Sequence, residues 1–500
     1  MRRDATGRRW LVVTAACVLL MLCSCDGGGS DWTSRLGDVA HTSRSSDATI
    51  TRANVASLKQ RWRKQAPACP GGGKSGGGWL ATPVTLHGVI YVGSNFGCLF
   101  ALNESNGSIR WSKFTAFQPR KTCDQRLGIV SSVVVRDEGG KTVLYFHNPD
   151  GYLYKLDASD GSTIWRSLVK VPRTDVNDVY AWSSPTVANG QVVIGVSSNC
   201  DTPFVQGQVR SYDLKTGAVK WVHKMVPDGF VGAGDWYDVA VDGNGDLYVS
   251  TASTTDKQAV AHPNTEPGFE QYCILKLDGR DGHLIWKAPA PTHTGDPDYA
   301  SSPILFTGGG VPLVGAGNKD GWFRAYRRDD GALVWQAQIG TPNADGLRSI
   351  LSGGVWDGTH LFLASNITHT GGTWTQSPAR TWKPVGGVES PGSVRALDPA
   401  TGALATIGGA PFELPMPANI LGPCTINPNH LLVCTGGKFV GTDYSAHYNG
   451  IYFIDTTKRA AILHHLEDTR NFPTFAQPVL EHGALLTANT DALSKWSPAG

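Results

Sequence analysis

The sequence predicts an all-β fold, an eight-bladed β-propeller of four-stranded antiparallel blades whose ring is closed by N- and C-terminal strands. A repeated unit ends in tryptophans spaced 49 to 65 residues apart, and a half-unit stands at each end of the chain. The composition, with 60 Gly, 16 Trp and only 4 Met, favours many turns over long helices. A chain of 500 residues would ordinarily form several domains, but closed repeat folds grow by adding units around one axis.

The first 25 residues predict an export signal peptide. Four Arg precede the apolar run from Leu11 to Cys23, which is too short to span a membrane with margin. The sequence Leu22-Cys23-Ser24-Cys25 resembles a bacterial lipobox, in which Cys25 would be lipidated. A membrane-anchored lipoprotein is therefore expected, with a periplasmic or secreted protein as the alternative. Residues 26–55 are predicted to be a tether or linker.

Charge and cysteine content exclude several classes of partner. Without the signal, 40 basic residues face 41 acidic ones, so neither nucleic acid nor an anionic membrane surface is an expected partner. Seven Cys follow Cys25, an odd number that leaves at least one thiol without a partner in the chain. Cys424 and Cys434 flank a predicted turn and are the favoured disulfide. No two Cys have the spacing of a haem c attachment motif, so no haem c is expected.

Each repeat contains short β-rich runs bounded by Gly, Asn and Asp, followed by a D-x-x-x-G turn and a Trp four residues later. The Asp caps the turn and the Gly accepts a positive φ. The Trp is predicted to lie on the outer strand and to pack against the neighbouring blade. Five repeats end in Trp and two degenerate ones do not, with ends at Trp111, Trp165, Trp221, Trp286, Trp335, Thr406 and Leu463.

The two half-units predict how the ring closes. Residues 56–62 form an outer strand without inner strands, and residues 484–500 supply inner strands without an outer one. Joined, they complete an eighth blade and leave no open sheet edge. The propeller is therefore expected to span residues 56–500.

The A-L-D-x-x-T-G-x-x-x-W repeat resembles the pyrroloquinoline quinone (PQQ) propellers over essentially residues 56–500. These include quinoprotein alcohol dehydrogenases, polyvinyl-alcohol-dehydrogenase-like proteins and the propeller lipoprotein of the outer-membrane barrel-assembly machinery, which lacks the cofactor. The resemblance implies the fold and leaves two functions open. One is an extracytoplasmic PQQ oxidoreductase that oxidises an alcohol, including a secondary or polymeric one, and passes electrons to an external acceptor. The other is a non-catalytic scaffold that binds envelope proteins.

Three motifs resemble the cofactor-binding positions of the quinoprotein dehydrogenases. In G-D-P-D-Y, Asp298 is the candidate base for the alcohol proton, ahead of Asp296. In N-K-D-G-W, Lys319 would contact the quinone oxygens. The predicted floor beneath the planar quinone is Trp236. Each has a plainer alternative: a turn-capping Asp, an exposed Lys in a hairpin, and a packing Trp. The other residues assigned to cofactor binding are Asp320, Trp322 and Cys123.

A calcium ion would activate the quinone in this family, and its ligands are the least well matched part of the resemblance. Asp298, Asp201 and Ser253 are the candidates, although Ser253 stands where the family has Asn. Cys123 stands alone where the family has two adjacent Cys. Both departures weaken the prediction of a metal site and of tight PQQ binding.

The glycine-rich segment A-C-P-G-G-G-K-S matches a loose phosphate-binding loop through Gly73-Lys74-Ser75. A true phosphate loop needs a helix after the glycines, and here a predicted inner strand containing Pro83 follows. No nucleotide is therefore expected. The segment is predicted to be a loop between blades on the face of Asp298, with Cys69 able to reach Cys98 or Cys123.

Overall fold

The structure is a computed structural model that describes residues 31–71, 78–116, 128–171, 181–198, 201–291, 297–341, 350–370, 373–376, 382–385, 388–437, 446–468 and 475–499. The predicted export signal of residues 1–25 with Cys25, and the predicted site residues Gly73-Lys74-Ser75, Cys123 and Asp296, lie outside these residues. No helix among the described residues is both long and apolar enough to cross a membrane.

The first strand, β1 (Leu58–Lys64), is followed by four blades of four consecutive strands each. Their short strands match the β-rich runs between Gly, Asn and Asp turns. Blades 1 and 2 consist of β2 (Val84–Leu86), β3 (Val89–Gly93), β4 (Cys98–Asn103), β5 (Ile109–Phe114), β6 (Val134–Glu138), β7 (Lys141–Asn148), β8 (Tyr152–Asp157) and β9 (Thr163–Leu168). Blades 3 and 4 consist of β10 (Thr186–Ala188), β11 (Gln191–Val196), β12 (Gln208–Asp213), β13 (Val219–Lys224), β14 (Ala240–Val241), β15 (Leu247–Ser250), β16 (Cys273–Leu277) and β17 (Leu284–Pro289).

The remaining strands form blades 5 to 8 and two small hairpins. Blades 5 and 6 consist of β18 (Ile304–Gly308), β19 (Val311–Gly317), β20 (Trp322–Arg327), β21 (Leu333–Gln338), β22 (Val355–Trp356), β23 (Leu361–Thr370), β26 (Val388–Leu397) and β29 (Glu413–Met416). The hairpins of blade 6 are β24 (Thr373–Gln376) with β25 (Trp382–Val385), and β27 (Thr406–Ile407) with β28 (Ala410–Pro411). Blades 7 and 8 add β30 (Thr425–Ile426), β31 (Leu431–Gly436), β32 (Gly450–Asp455), β33 (Ile462–Glu467), β34 (Val479–Glu481), β35 (Ala484–Ala488) and β36 (Leu493–Pro498).

Eight four-stranded antiparallel sheets confirm the predicted propeller, and the eighth closes the ring as expected. In that sheet β1 pairs with β36, from Leu58 opposite Pro498 to Lys64 opposite Leu493. The apolar core lies between neighbouring blades. Ile304 and Phe306 of blade 5, for example, belong to one buried cluster with Leu361 and Leu363 of blade 6.

The repeated tryptophans join neighbouring blades as predicted. Trp111 on β5 donates a hydrogen bond from Nε1 to the carbonyl of Ala158 in blade 2 (2.9 Å). Its ring lies against Gly161, the glycine of the D-x-x-x-G turn in the same blade, which has φ +73°. A side chain at that position would displace the indole. The Trp and the Gly of the repeat are therefore two halves of one contact between blades.

Blade 6 departs from the repeat. Thr406 was expected on its outer strand, but it lies in the β27–β28 hairpin, and the outer strand is β29 further along the chain. Long segments between the second and third strands of blades 4 and 6 contain the short helix α1 (Asp256–Ala261) and the β24–β25 hairpin. Two 3₁₀ turns (Val55–Ser57 and Ala446–Tyr448) and α1 are the only helical elements among the described residues.

The linker expectation is wrong for residues 31–55, which are packed into the propeller. The backbone of residues 32–45 runs around the inner strands and accepts hydrogen bonds from their free N–H groups. Examples are Thr85 to Trp32 (2.7 Å) and Leu305 to Ala40 (2.9 Å). Innermost strands expose unpaired backbone groups toward the axis, and this segment satisfies part of them. It contacts blades 1, 2, 4, 5, 6, 7 and 8 in chain order.

Two disulfides are present among the described residues. Cys424–Cys434 confirms the favoured pair, and Cys69 pairs with Cys98, one of its two expected partners. Cys273 is buried with a free thiol. The Cys69–Cys98 bond fastens the residue before the glycine-rich segment to the third strand of blade 1.

Candidate functional site

Eight apolar side chains, one from each blade, meet at the axis on the face that carries the loops between blades. Each lies four residues before the first strand of its blade: Leu80, Val130, Trp182, Trp236, Ala300, Leu351, Leu421 and Phe475. Trp182 contacts Trp236 (ring centroids 6.5 Å apart) and Phe475 (5.0 Å). We call this set the axial collar. The loops between blades surround an opening on this face, which we call the funnel. The axial collar forms its apolar floor, which includes the indole of Trp236.

Below the collar, polar side chains join six successive blades, blade 8 and blades 1 to 5, in an incomplete ring of hydrogen bonds, called the hydrogen-bond ring below. Each bond runs from a backbone N–H to the side chain two residues before the first strand of the next blade. The bonds are Gln477 to Thr82 (2.9 Å), Thr82 to Ser132 (2.9 Å), Ser132 to Ser184 (3.0 Å), Ser184 to Asp238 (2.6 Å) and Asp238 to Ser302 (3.3 Å). These bonds fix the positions of the collar residues of neighbouring blades relative to one another along the propeller axis.

The structure brings together the three residues that the motifs singled out. Lys319 Nζ lies 2.6 Å from Asp298 Oδ2, and both side chains are nearly buried, 10 % and 7 % exposed. The same ammonium lies 5.2 Å from the ring centroid of Trp236, a cation–π contact. The base candidate, the cation and the indole thus form one cluster on the funnel side of the axial collar.

Backbone contacts within blade 5 fix this pair. Lys319 lies in the turn between β19 and β20, and its N–H donates to the Asp298 carbonyl (2.9 Å). Asn318 donates from its side chain to the carbonyl of Pro297 (2.9 Å). The N-K-D-G turn and the D-P-D-Y segment are therefore held against each other by backbone acceptors, and the short Lys–Asp distance follows from that register.

The second oxygen of Asp298 is also engaged. Ser253, in the segment after β15, donates its backbone N–H to Asp298 Oδ1 (2.5 Å). Asp201 lies in the segment after β11. Desolvation by the surrounding protein raises the pKa of Asp201 to about 6, and repulsion from Asp298 adds to the shift, whereas attraction to Lys319 opposes it. Asp201, Asp298 and Lys319 are thus electrostatically coupled.

Two further predicted cofactor contacts have other bonds in the structure. The Asp320 carboxylate pairs with Arg324 (2.6 Å) in a buried ion pair and accepts the Trp322 N–H (3.0 Å). Trp322 begins β20 and is partly buried. Asp320 therefore stabilises the turn that carries Lys319.

Sequence reasoning missed Asp235, which precedes Trp236. Its side chain is fully buried, and neither carboxylate oxygen accepts a hydrogen bond from the described residues. Burial raises the pKa of Asp235 well above its ordinary value, and repulsion from Asp238 adds to the effect. The collar and the hydrogen-bond ring were missed as well. Their sequence signal is the recurrence of Ser or Thr two residues before a short β run, which becomes visible once the blades are aligned.

The residues of the cluster fit a planar anionic quinone. Trp236 offers a partly exposed aromatic ring, and its buried Nε1 has no hydrogen-bond partner among the described residues. Lys319 offers an ammonium group beside that ring. An aromatic surface next to a fixed cation suits a flat, negatively charged ligand.

Calcium does not fit the described residues in the same way. The ion needs six to eight oxygen ligands, roughly, and prefers carboxylates. Both oxygens of Asp298 already accept bonds from Lys319 and the Ser253 N–H. The triads of His, Cys, Asp or Glu side chains that lie close together in the described part of the chain contain neither Asp298 nor Asp201. The cation beside Asp298 in this arrangement is Lys319.

Fold and cluster together define an eight-bladed propeller with a candidate ligand site on its axis. The model of the PQQ family, described as the β-propeller domain of glucose, ethanol and alcohol dehydrogenases, matches residues 32–305. This is more than half of the chain, and the chain therefore belongs to that family. A second model, described as outer membrane protein assembly factor BamB, matches residues 206–408.

Curated relatives are similar over part of the chain. The dehydrogenase subunit of a quinone alcohol dehydrogenase from Gluconacetobacter polyoxogenes is 28% identical over 183 residues, which are 36% of this chain and 23% of that protein. A quinohemoprotein alcohol dehydrogenase from Comamonas testosteroni is 28% identical over 200 residues, 39% of this chain and 26% of that protein. The chain thus aligns with about a quarter of the length of these relatives. A tetrathionate hydrolase from Acidithiobacillus ferrooxidans is 24% identical over 46% of this chain and 40% of its own.

Solved structures share the fold. The Comamonas testosteroni quinohemoprotein alcohol dehydrogenase gives a TM-score of 0.70 at 17% identity, covering 94% of this chain and 81% of that one. A europium-containing methanol dehydrogenase gives 0.67 at 15% identity, covering 91% and 88%. BamB from Moraxella catarrhalis gives 0.51 at 12% identity, covering 88% and 97%.

Proposed function

We propose that the chain is an exported PQQ-dependent oxidoreductase that oxidises an alcohol at the axial cluster and passes the electrons to an external acceptor. The observation that carries the proposal is the contact of Asp298, Lys319 and Trp236. Three motifs far apart in sequence supply an acid–base group, a cation and an aromatic floor at one point. The family membership and the quinone-dependent alcohol dehydrogenases among the relatives support the same assignment.

When bound, PQQ supplies a two-electron acceptor that takes the carbinol hydrogen together with its electron pair. Trp236 and Lys319 would hold it, Trp236 through the indole face and Lys319 through the ammonium. Lys319 stabilises negative charge on an oxygen placed against its ammonium. The low exposure of Lys319 and Asp298 strengthens that interaction because little water screens it.

Asp298 would accept the hydroxyl proton of the alcohol; the carbinol carbon becomes a carbonyl carbon when its hydrogen also leaves with the electron pair, for which the quinone would be the acceptor. Lys319 and the Ser253 N–H bind one oxygen each of the Asp298 carboxylate and hold it in one orientation.

The experiment is reconstitution of the purified chain with PQQ, with and without Ca²⁺, followed by dye-linked oxidation of primary, secondary and polymeric alcohols. We expect quinone uptake and turnover, and we expect Asp298→Asn to retain uptake while turnover falls by about a hundredfold or more, as for loss of a general base. Asp329→Asn is the matched control, because Asp329 lies exposed on the opposite face of the same blade. Turnover that survives in Asp298→Asn, or no quinone uptake by the wild-type chain, contradicts the proposal.

A second candidate is a non-catalytic scaffold of the cell envelope, favoured by the match of the BamB model to residues 206–408. Absence of quinone uptake together with capture of envelope proteins would favour it. Export and lipid attachment at Cys25 belong to both candidates. Mass spectrometry of the membrane-bound protein, compared with a Cys25→Ala variant, tests the attachment.

A further inference from the structure

A second cluster of ligating side chains lies on the opposite face of the ring, where blade 8 meets blade 1. Asp31 comes from the N-terminal segment, Glu481 ends β34, and His482 follows in the turn to β35. One ligand atom from each of these residues lies within 4.8 Å of the other two. Neither the family nor the alcohol-oxidising site accounts for this grouping.

Glu481 is held in a way that leaves one oxygen free. The side chain is fully buried, and its Oε2 accepts hydrogen bonds from the Trp32 N–H (3.2 Å) and the Thr85 hydroxyl. Its Oε1 has no hydrogen-bond partner among the described residues. A buried oxygen without a partner is destabilising by about 1–3 kcal/mol. An ion bound at this oxygen would remove that penalty.

His482 is oriented by a carboxylate on its other nitrogen. Its Nδ1 lies 3.0 Å from Glu104 Oε2, and Lys495 fixes the second oxygen of Glu104 at 2.6 Å. A proton on Nδ1 donates to Glu104 and leaves the lone pair of Nε2 available, 3.5 Å from Asp31 Oδ1. Histidines that ligate metals commonly donate their second ring N–H to a carboxylate in this way.

We propose that Asp31, Glu481 and His482 bind one divalent ion of the Zn²⁺ class, with Glu104 as the positioning residue of His482. One imidazole and two carboxylates form a donor set typical of zinc, whereas calcium takes oxygen ligands only. The ion would fasten the N-terminal segment, through Asp31, to the blade that closes the ring. Zinc binding at this site stabilises the closure and is independent of quinone binding on the other face.

Two comparisons within the chain separate this site from a chance grouping. The triad of Asp278, Asp281 and His283 is also close-set, but Asp281 and His283 are exposed and Asp278 is paired with Arg280. His87 occupies the same turn position in blade 1 as His482 does in blade 8, with φ +54° and +44° respectively. It contacts Asp137 at 2.8 Å and belongs to no triad among the described residues.

The test uses the full chain, freed of metal with a chelator and titrated with Zn²⁺ against a chromophoric competitor. We expect one Zn²⁺ per chain, a higher thermal unfolding midpoint with zinc, and no such response to Ca²⁺. His482→Asn keeps a residue that tolerates the left-handed turn, and its zinc affinity should fall by at least about tenfold, as should that of Glu104→Gln. His87→Asn and Asp281→Asn should bind zinc as the wild type does.

Absence of zinc binding overturns the proposal. So does wild-type affinity in His482→Asn, or loss of binding in Asp281→Asn, which would assign the ion to the other triad. Circular dichroism of each variant without metal establishes that it is folded. The Co²⁺ absorption spectrum gives an independent readout, with nitrogen and oxygen coordination expected in the wild type and lost in His482→Asn.

Discussion

Lys319 shows how one side chain connects the parts of the axial cluster. Its ammonium bonds to Asp298 and faces the Trp236 ring, and both contacts are shielded from solvent. Lys276 in blade 4 is a close structural parallel on the opposite face, paired with Asp246 (2.9 Å) and lying 5.7 Å from the Tyr248 ring. The two lysines differ mainly in whether they lie beside the axial collar.

This parallel gives a matched pair of variants. Lys319→Met and Lys276→Met each leave an aspartate without its cation, so both should lower the free energy of unfolding by roughly 3–5 kcal/mol. Lys319→Met alone should weaken PQQ uptake, by about tenfold or more, because it removes the cation beside the indole. Fluorescence titration with PQQ measures this, and equal uptake by the two variants would contradict the role given to Lys319.

His147 predicts part of the acid sensitivity of the fold. It is fully buried in blade 2, neither ring nitrogen has a hydrogen-bond partner among the described residues, and burial lowers its pKa to about 3, with Arg210 adding to the effect. Below pH 6.5 the unfolded chain takes up a proton here and the folded chain does not. The free energy of unfolding should therefore fall by about 1.4 kcal/mol per pH unit from pH 6.5 towards 3 on this account.

His147→Gln should show a shallower loss of stability in that window, measured by urea unfolding at pH 7, 5.5 and 4.5. His430→Asn is the control, because His430 is exposed and its φ of +56° suits Asn. The control should keep the wild-type slope. Equal slopes in His147→Gln and the wild type would mean that other groups dominate acid unfolding.

At the scale of elements, six of the eight blades, blades 1 to 5 and blade 8, are each joined to the next by a tryptophan lying on a glycine turn. Trp286 of blade 4 donates to the Arg328 carbonyl in blade 5 (3.2 Å), and its ring lies over Gly331. Where blade 6 lacks the Trp, its outer strand begins later in the chain, after an extra hairpin. In the blades that have it, the Trp of the repeat lies on the fourth strand.

Two glycines with the same φ of +73° separate backbone strain from this contact. An added Cβ at Gly331 would lie 2.7 Å from two carbons of Trp286, whereas at Gly190 no atom lies within 4 Å. Gly190→Ala should destabilise by about 1–2 kcal/mol through strain alone. Gly331→Ala should lose a further 1–3 kcal/mol or so through displacement of the indole. Urea unfolding of both variants checks this, and equal losses would contradict it.

At the scale of the whole molecule, two separate features hold the ring of blades closed. Blade 8 joins the two ends of the chain, and the N-terminal segment crosses the inner strands on the other side of the axial collar. Arg35 of this segment forms a buried ion pair with Asp238 (2.9 Å), and Asp238 also takes part in the hydrogen-bond ring. Blades 2, 3 and 5 have Ser at the position of Asp238.

The Ser in the other blades suggests a test of this second closure. Arg35→Met should lower the free energy of unfolding by roughly 3–5 kcal/mol, because it leaves the buried Asp238 without its cation. The double variant Arg35→Met/Asp238→Ser should recover most of that loss, since Ser can accept the Ser184 N–H as it does elsewhere in the ring. Lys224→Met, which breaks the exposed pair with Asp228 (2.7 Å), should cost less than about 1 kcal/mol. A double variant no more stable than Arg35→Met would contradict this account.

The repeat alone was sufficient to predict the blades, the closure by both termini and the Trp contacts between blades, because these depend on strand period, turn residues and spacing within one unit. Trp236, Asp298 and Lys319 were predicted as candidates through family motifs. Their contact was not predictable, since Trp236 belongs to blade 4 and Asp298 and Lys319 belong to blade 5. The distance between them depends on how these two blades pack side by side around the axis. The linker prediction failed at residues 31–55 because that segment has neither repeat nor amphipathic period, and its partners are backbone groups contributed by seven blades.

The sequence by itself determined the eight-bladed ring, since each unit encodes its own four strands, its turn and its attachment to the next unit. Only the tertiary structure decided what lies along the axis. The axial collar, the hydrogen-bond ring, the pairing of Lys319 with Asp298 and the grouping of Asp31, Glu481 and His482 all join residues from different units. Contacts of that kind follow from the closure of the ring, which brings together residues up to 451 positions apart.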